Sequence, residues 1–315
     1  MVINKLIDSV KVNPNAFNAR LKEVKYDWKV NDIVTEGRFF YLAFKNGQVN
    51  IDDFIEYIYY RLPKFCIPAK EHEKAREQYI RTEDDRYLME LFDKAKKLFI
   101  QSKEQQKKAG EPGELILYIL LEEAIKAPQV ACKMYLKTNK NMPVHGSDGI
   151  HLYYDNDRDL LRVIWGESKL YDSLSTALDN ICESIKGFRE CNDGSAPIDR
   201  DIEILKDHIS VKDKELEASI LKYFDPYEEE SNNKVDCHAC FVGFNYSKLK
   251  DDNVEKIIEE QFKEKYLERI KSACGLFEDK VRKNGLDKVE FIFFLIPFKD
   301  INELREKFYK KLEGK

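Results

Sequence analysis

No stretch of this 315-residue chain stays apolar for the roughly 18 residues that a membrane-spanning helix requires, so no membrane role is expected. The N-terminal MVINKLIDSVKV lacks the features of a secretory signal. The seven cysteines are odd in number and widely scattered, which argues against a disulfide framework and for reduced thiols in a cytoplasmic setting. A basic surplus is missing too. The formal net charge of −5 argues against an autonomous, high-affinity nucleic-acid binder. A chain of this charge that acts on nucleic acid needs a local basic patch or a partner to bring the substrate in. There is no Walker lysine loop, no Gly-x-Gly-x-x-Gly and no Gly-x-Ser-x-Gly, so no motor or nucleotide-binding site of its own is visible. Internal repeats and low-complexity tracts are absent as well.

What is present is ample core material. The chain is 43% hydrophobic and 12% aromatic, and its 35% charged residues are mixed in sign, as in a soluble globular protein of two domains or one elaborated one. Residues 1–50 alternate apolar and polar side chains and read as a few strands, with Gly47 as a turn signal. Residues 51–62 have helical spacing and are stopped by Pro63. Residues 70–108 are charged, with apolar positions at helical intervals, and read as one or two exposed helices; Lys107–Gly113 reads as a break. From there the pattern predicts a helix over Gly113–Lys126, a strand over Val130–Lys137, a polar loop over Thr138–Gly146, a hairpin, and a helix over Tyr171–Lys186. Two more helices follow over 198–223, then an acidic loop at Asp225–Lys234. A strand over Val235–Phe244, a long helix over Asn253–Asn284, a buried strand over Lys288–Pro297 and a terminal helix over Ile301–Leu312 complete the chain. The two late strands either extend the central sheet or form a small C-terminal α/β unit. The fold class expected is α/β, a restriction-endonuclease-like mixed sheet flanked by helices, with a largely helical N-terminal region over 1–110 and a C-terminal α/β extension within 111–315.

The hairpin carries the chemistry. Residues 148–155 read DGIHLYYD, residues 160–169 read LLRVIWGESK, and Asn156–Asp159 between them is turn-rich. A symmetric loop sets Asp148 opposite Glu167, Ile150 opposite Trp165, Leu152 opposite Val163 and Tyr154 opposite Leu161. Because strand side chains alternate, Asp148, Glu167 and Lys169 then share one face with these apolar residues. Gly149, His151, Tyr153, Arg162, Ile164, Gly166 and Ser168 take the other, more polar face. A one-residue slip would send the acids to the opposite side.

Carboxylates at the edge of an apolar face cost several kcal/mol unless paired or bound to a metal, on the order given by ion-burial estimates. Mg²⁺ binds through one or two carboxylates plus waters and substrate phosphates. Asp148 and Glu167 are therefore the candidate metal ligands, with the backbone carbonyl of Ser168 as a further donor and Lys169 beside an attacking water. The bland alternative is an ordinary salt bridge of Lys169 with either acid. Glu114 is the fourth candidate. It starts the stripe Glu114, Leu117, Leu121, Ala124 on the predicted helix, which places another carboxylate at a core edge, as a water-mediated or second-metal ligand. A first-turn Glu favoured by the helix dipole explains it equally well. His145 and His151 flank Asp148 and read more readily as surface or hydrogen-bonded filler residues than as catalytic groups. Cys237-His238-Ala239-Cys240 has no second Cys/His pair at zinc spacing and reads as a strand.

The segments Gly113-Glu114, His145-Gly146-Ser147-Asp148-Gly149-Ile150-His151 and Trp165-Gly166-Glu167-Ser168-Lys169-Leu170-Tyr171 resemble the HamA family, the nuclease subunits of the Hachiman anti-phage defence system. More broadly they resemble the PD-(D/E)xK nuclease superfamily, in which a helix glutamate, a strand aspartate and a Glu-x-Lys triplet form the metal site. On that pattern Glu114, Asp148, Glu167 and Lys169 are the matching residues, over a motif core of about residues 113–187. Ser147 stands where the superfamily often has proline. The resemblance implies Mg²⁺ (or Mn²⁺), a DNA substrate, and a hetero-oligomer with a HamB-like superfamily 2 helicase that uses ATP. It also implies a nuclease held inactive until aberrant DNA releases it. The alternatives are a stand-alone repair or restriction nuclease, and a non-catalytic nuclease-fold subunit that regulates a helicase.

Overall fold

A computed structural model describes residues 2–10, 13–30, 33–106, 111–137, 146–190, 196–249 and 258–315. The chain opens on two short helices, α1 (Lys5–Asp8) and α2 (Pro14–Arg20). The Asn13 side chain caps α2 by accepting the Ala16 N–H at 3.2 Å. Strands β1 (Leu21–Val24) and β2 (Thr35–Leu42) follow, then the small hairpin of β3 (Phe44–Lys45) and β4 (Gln48–Val49). Its turn is Asn46-Gly47, both at positive φ (55° and 77°), the conformation a tight two-residue hairpin requires. Helix α3 (Ile51–Tyr59) ends before Pro63, and that proline starts a new short helix, α4 (Leu62–Cys66). The charged stretch beyond it forms α5 (Ala69–Thr82) and α6 (Arg86–Gln106).

Helix α7 (Glu111–Leu120) begins earlier than the sequence pattern suggests. Glu111, Pro112 and Gly113 belong to it rather than to a break, because a proline in the first helical turn forfeits no intrahelical hydrogen bond. The helix continues as a π-helical turn over Leu121–Ile125, closed by Lys126 in the left-handed region at φ 67°. The strand expected over Val130–Lys137 is largely absent. Strand β5 (Gln129–Ala131) is short and irregular in register, and Lys133–Lys137 form helix α8 instead. Lys, Met and Leu are good helix formers, and the alternation in VACKMYLK was too brief to exclude a helix. The polar loop expected at Thr138–Gly146 lies, up to residue 145, outside the described residues.

Strands β6 (Gly149–Asp155) and β7 (Leu160–Tyr171) form the expected hairpin. Helix α9 (Leu174–Arg189) is followed by α10 (Pro197–His208) and α11 (Lys214–Lys222). Strand β8 (Lys234–Asn245), helix α12 (Glu259–Lys283), strand β9 (Glu290–Phe298) and helix α13 (Ile301–Glu313) close the chain. The strand order is β1-β2-β9-β8-β7-β6-β5, a seven-stranded mixed sheet, so the late strands extend the central sheet. This is the α/β class expected from the sequence. Among the described residues no helix is long and apolar enough to cross a membrane.

The chain divides into two compact units. The first holds Met1–Val12, Tyr60–Gly166 and Phe188–Asp236; the second holds Asn13–Tyr59, Glu167–Gly187 and Cys237–Lys315. In the first, one face of β5-β6-β7 packs Ile150, Leu152, Tyr154, Leu161, Val163 and Trp165 against Leu205 of α10 and Leu216 and Ile220 of α11. In the second, β8 and β9 run parallel and are joined by α12, the helical crossover that parallel strands need. β2 lies parallel to β9 on its other edge, and every residue of β9 is buried, as a central strand covered on both faces should be. Phe277 of α12 stacks on Phe293 with ring centroids 4.6 Å apart. The fully buried Tyr266 hydroxyl of α12 lies 3.0 Å from the Phe40 carbonyl and 2.9 Å from that of Leu295, so one polar group serves two strands. Tyr266→Phe is expected to lower stability by about 1–2 kcal/mol, measured as a shift of the denaturant midpoint at constant slope.

Candidate functional site

The β6/β7 ladder has the register expected from the sequence as far as Gly149 opposite Gly166, where it ends; the expected pairing of Asp148 with Glu167 is not part of it. Ile150 pairs with Trp165, Leu152 with Val163, Tyr154 with Leu161, and the last pair at the site end is Gly149 with Gly166. Asp148 lies in a bend just before β6, and its N–H donates to the Gly166 carbonyl at 2.7 Å. Two glycines opposite each other leave the sheet thin here. A Cβ on Gly166 would sit 3.0 Å from the Leu117 Cδ2, so the Leu117 side chain of α7 packs directly over this glycine.

Beside this contact lies a cavity of about 10 Å³, bordered by Glu114, Leu117, Tyr118 and Leu121 of α7 and its π-turn, and by Asp148, Gly149, His151 and Gly166 of the hairpin. Its size suits one water or small ion. Glu114 is only 7% exposed, so the expected stripe Glu114-Leu117-Leu121 does deliver a carboxylate to a buried edge. Asp148 borders the cavity together with His151. The structure corrects the expectation that His151 lies on the side away from Asp148. Asp148 precedes the ladder, and a bend is not bound by strand alternation.

The His151 face is not polar either. His151 (1% exposed), Arg162 (8%) and Ile164 (0%) are all buried. Tyr118 covers the His151 ring at 6.0 Å between centroids, and Phe65 packs on Tyr118 at 5.4 Å. The His151 Nδ1–H donates to the Ala127 carbonyl at 2.9 Å. Burial drives its pKa down from the ordinary 6.5 to about 4, so the ring is neutral and Nε2 carries no proton. It is a buried, hydrogen-bonded residue of the cavity wall rather than a surface one. His145 lies outside the described residues.

In the second unit, Lys169 Nζ lies 2.6 Å from Glu167 Oε1, and both side chains are mostly buried, at 21% and 13% exposure. The structure thus brings Glu114 and Asp148 to one cavity in the first unit and pairs Lys169 with Glu167 in the second. Ser168 lies between the latter two on β7. Among the described residues no group of three or more His, Cys, Asp or Glu stands ready to hold a metal ion. Cys237, His238 and Cys240 are all buried in β8, as expected of a strand. The donor set still fits Mg²⁺, which needs one or two carboxylates, with waters and phosphate oxygens completing its shell.

The sequence reading missed an ion pair one residue away. Lys133 of α8 and Asp201 of α10 are 1% and 0% exposed, with Nζ 2.8 Å from Oδ2 and 3.0 Å from Oδ1. Both grip Ser147. Lys133 donates to its carbonyl at 2.6 Å, while Asp201 Oδ2 accepts its N–H at 3.0 Å and its hydroxyl at 2.7 Å. A Cβ on Gly146 would meet the Asp201 carboxylate at 2.6 Å, so glycine is needed there. A signal was available: Asp201 interrupts the apolar stripe Ile198, Ile202, Leu205 of α10. A second buried pair, Arg61 with Glu123 at 2.5 Å, anchors the π-turn, and burial raises the pKa of the adjacent Glu122.

Fold and residues together define an α/β protein in which a buried and a half-buried carboxylate, Glu114 and Asp148, border one cavity where a β-hairpin meets a helix. The chain matches the HamA family over residues 17–312 and belongs to that family, which associates it with the Hachiman anti-phage defence system. No curated protein matches it.

The neutral His151 makes a pH test available. Between about pH 6.5 and 4 the unfolded chain binds the proton that the folded chain refuses. Stability therefore falls as pH drops through this window, by about 3 kcal/mol in full. His151→Gln is expected to be less stable at pH 7 yet to show a shallower loss across the same window, measured by denaturant melts at several pH values with chelator present.

Proposed function

We propose that this HamA-family protein is a Mg²⁺-dependent DNA nuclease, the effector of a two-protein defence complex whose helicase partner supplies the ATP-driven handling of DNA. The observation that carries the reading is the hairpin end. The strand register runs from Asp155 opposite Leu160 to Gly149 opposite Gly166, and Asp148 and Glu114 border one cavity beside it. Asp148 and Glu167 would hold the metal, with Glu114 and the Ser168 carbonyl as further oxygen donors. When bound, Mg²⁺ (or Mn²⁺) supplies Lewis-acid charge that polarises the scissile phosphate and activates water.

The chain's own groups do the rest. Leu117 packs over Gly166, and Glu114 stands on the same buried stripe of α7. Lys169, paired with Glu167 at 2.6 Å, would supply an ammonium that offsets the negative charge building on the phosphate in the transition state. The buried apolar wall of Leu117, Tyr118 and Leu121 excludes bulk water from the Glu114 side and strengthens each charge interaction there. The absence of a nucleotide-binding motif and the net charge of −5 both support a division of labour in which a partner delivers DNA.

Glu167→Ala and Lys169→Ala are each expected to slow plasmid degradation at least 100-fold, on the order of losing one preorganised charge, and to abolish phage protection while leaving the melting temperature near that of the parent. Folded variants that still cut DNA at the parental rate overturn the assignment. Co-purification with a helicase, and nuclease assays with and without ATP, test the partnership.

A further inference from the structure

Ser147 has three backbone and side-chain groups able to hydrogen-bond, and all three are bound to the same buried ion pair. Its N–H and hydroxyl donate to Asp201 Oδ2 at 3.0 and 2.7 Å, and its carbonyl accepts from Lys133 Nζ at 2.6 Å. The next residue is Asp148, whose N–H is tied to the Gly166 carbonyl at 2.7 Å. The backbone of Asp148 is therefore clamped from both sides, by a salt bridge before it and by the sheet after it. Gly146 completes the clamp, since any larger residue there would displace the Asp201 carboxylate. The two charged groups come from α8 and α10, so helices distant in sequence converge on one turn.

Such a pair is a poor device for stability alone. Removing two charges from water offsets most of their attraction, and packed apolar residues often serve as well. What apolar residues do not supply is directional hold on a serine's N–H, O–H and C=O. We propose that Lys133 and Asp201 are positioning residues that fix the Ser147-Asp148 turn so that the Asp148 carboxylate is presented to a divalent cation. This rests on the metal-dependent reading above and deepens it. Hydrogen-bond partners that orient a metal ligand typically account for about 10–100-fold in metal affinity when removed.

The test compares wild type with Asp201→Asn, with the double variant Lys133→Met/Asp201→Leu, which replaces the pair with apolar side chains, and with Ser147→Ala, which keeps the pair. Three quantities are measured: melting temperature, Mg²⁺ affinity by calorimetry, and amide hydrogen exchange over residues 146–150. The expected result is a folded double variant with Mg²⁺ affinity about 10–100-fold weaker and faster exchange confined to that turn. Mg²⁺ affinity and exchange at the wild-type level in folded variants overturn the proposal. If the charge variants do not fold, Ser147→Ala decides it by the same two readouts. A wild-type chain that binds no Mg²⁺, while the variants still loosen only residues 146–150, overturns the metal reading and with it the presentation of a ligand. The clamp on the turn would then stand by itself.

Discussion

The hydrogen-bond register between β6 and β7 is the constraint on which the site depends. It places Gly149 opposite Gly166, and only that pairing leaves the hairpin end without a side chain on either strand. With no Cβ at Gly166, the Leu117 side chain of α7 packs directly over the strand. Glu114, one helical turn earlier, is carried to the buried edge it shares with Asp148. A slip of one residue would exchange the faces, put Ile150, Leu152 and Val163 against the helices meant for His151 and Ile164, and move both glycines away from Leu117.

Buried charge recurs around this end of the first unit. Lys133 with Asp201 is an ion pair almost wholly removed from water, Arg61 with Glu123 one that is mostly so, and Glu114 joins them at 7% exposure. Leaving any one partner alone in such surroundings costs about 3–5 kcal/mol. Each pair bridges elements far apart in the chain, and each ends on a segment that borders the cavity. Lys133 and Asp201 hold the turn before Asp148, while Arg61 holds the π-turn after Leu120. Neutral His151, hydrogen-bonded to Ala127, fills the space between without adding charge. The polar interior is thus arranged around the position of two carboxylates.

Much of the architecture was legible in the sequence because it is written in short-range pattern. The hairpin register followed from a symmetric turn and period-two alternation, and β8, β9, α12 and α13 followed from runs long enough for their period to be unambiguous. The stripe from Glu114 to Leu121 predicted a carboxylate at a core edge, and it is there. What escaped the reading is long-range. Lys133 finds Asp201 across 68 positions, and nothing local distinguishes a lysine destined for the core from the many on the surface. The same pairing explains the mistaken strand over Val130–Lys137, since α8 must turn Lys133 inward towards α10. The face carrying His151 looked polar in the sequence because covering helices are invisible to strand alternation; Tyr118 and Phe65 bury it.

The most direct measurement is a crystal of the protein soaked in Mn²⁺ and examined for anomalous scattering. The account predicts one peak with the Asp148 carboxylate in its first coordination shell, at about 2.0–2.6 Å as for hard divalent cations on oxygen, and its loss in crystals of Asp148→Ala. A map with no peak at the hairpin end at saturating Mn²⁺, or a peak that survives Asp148→Ala unchanged, would contradict it.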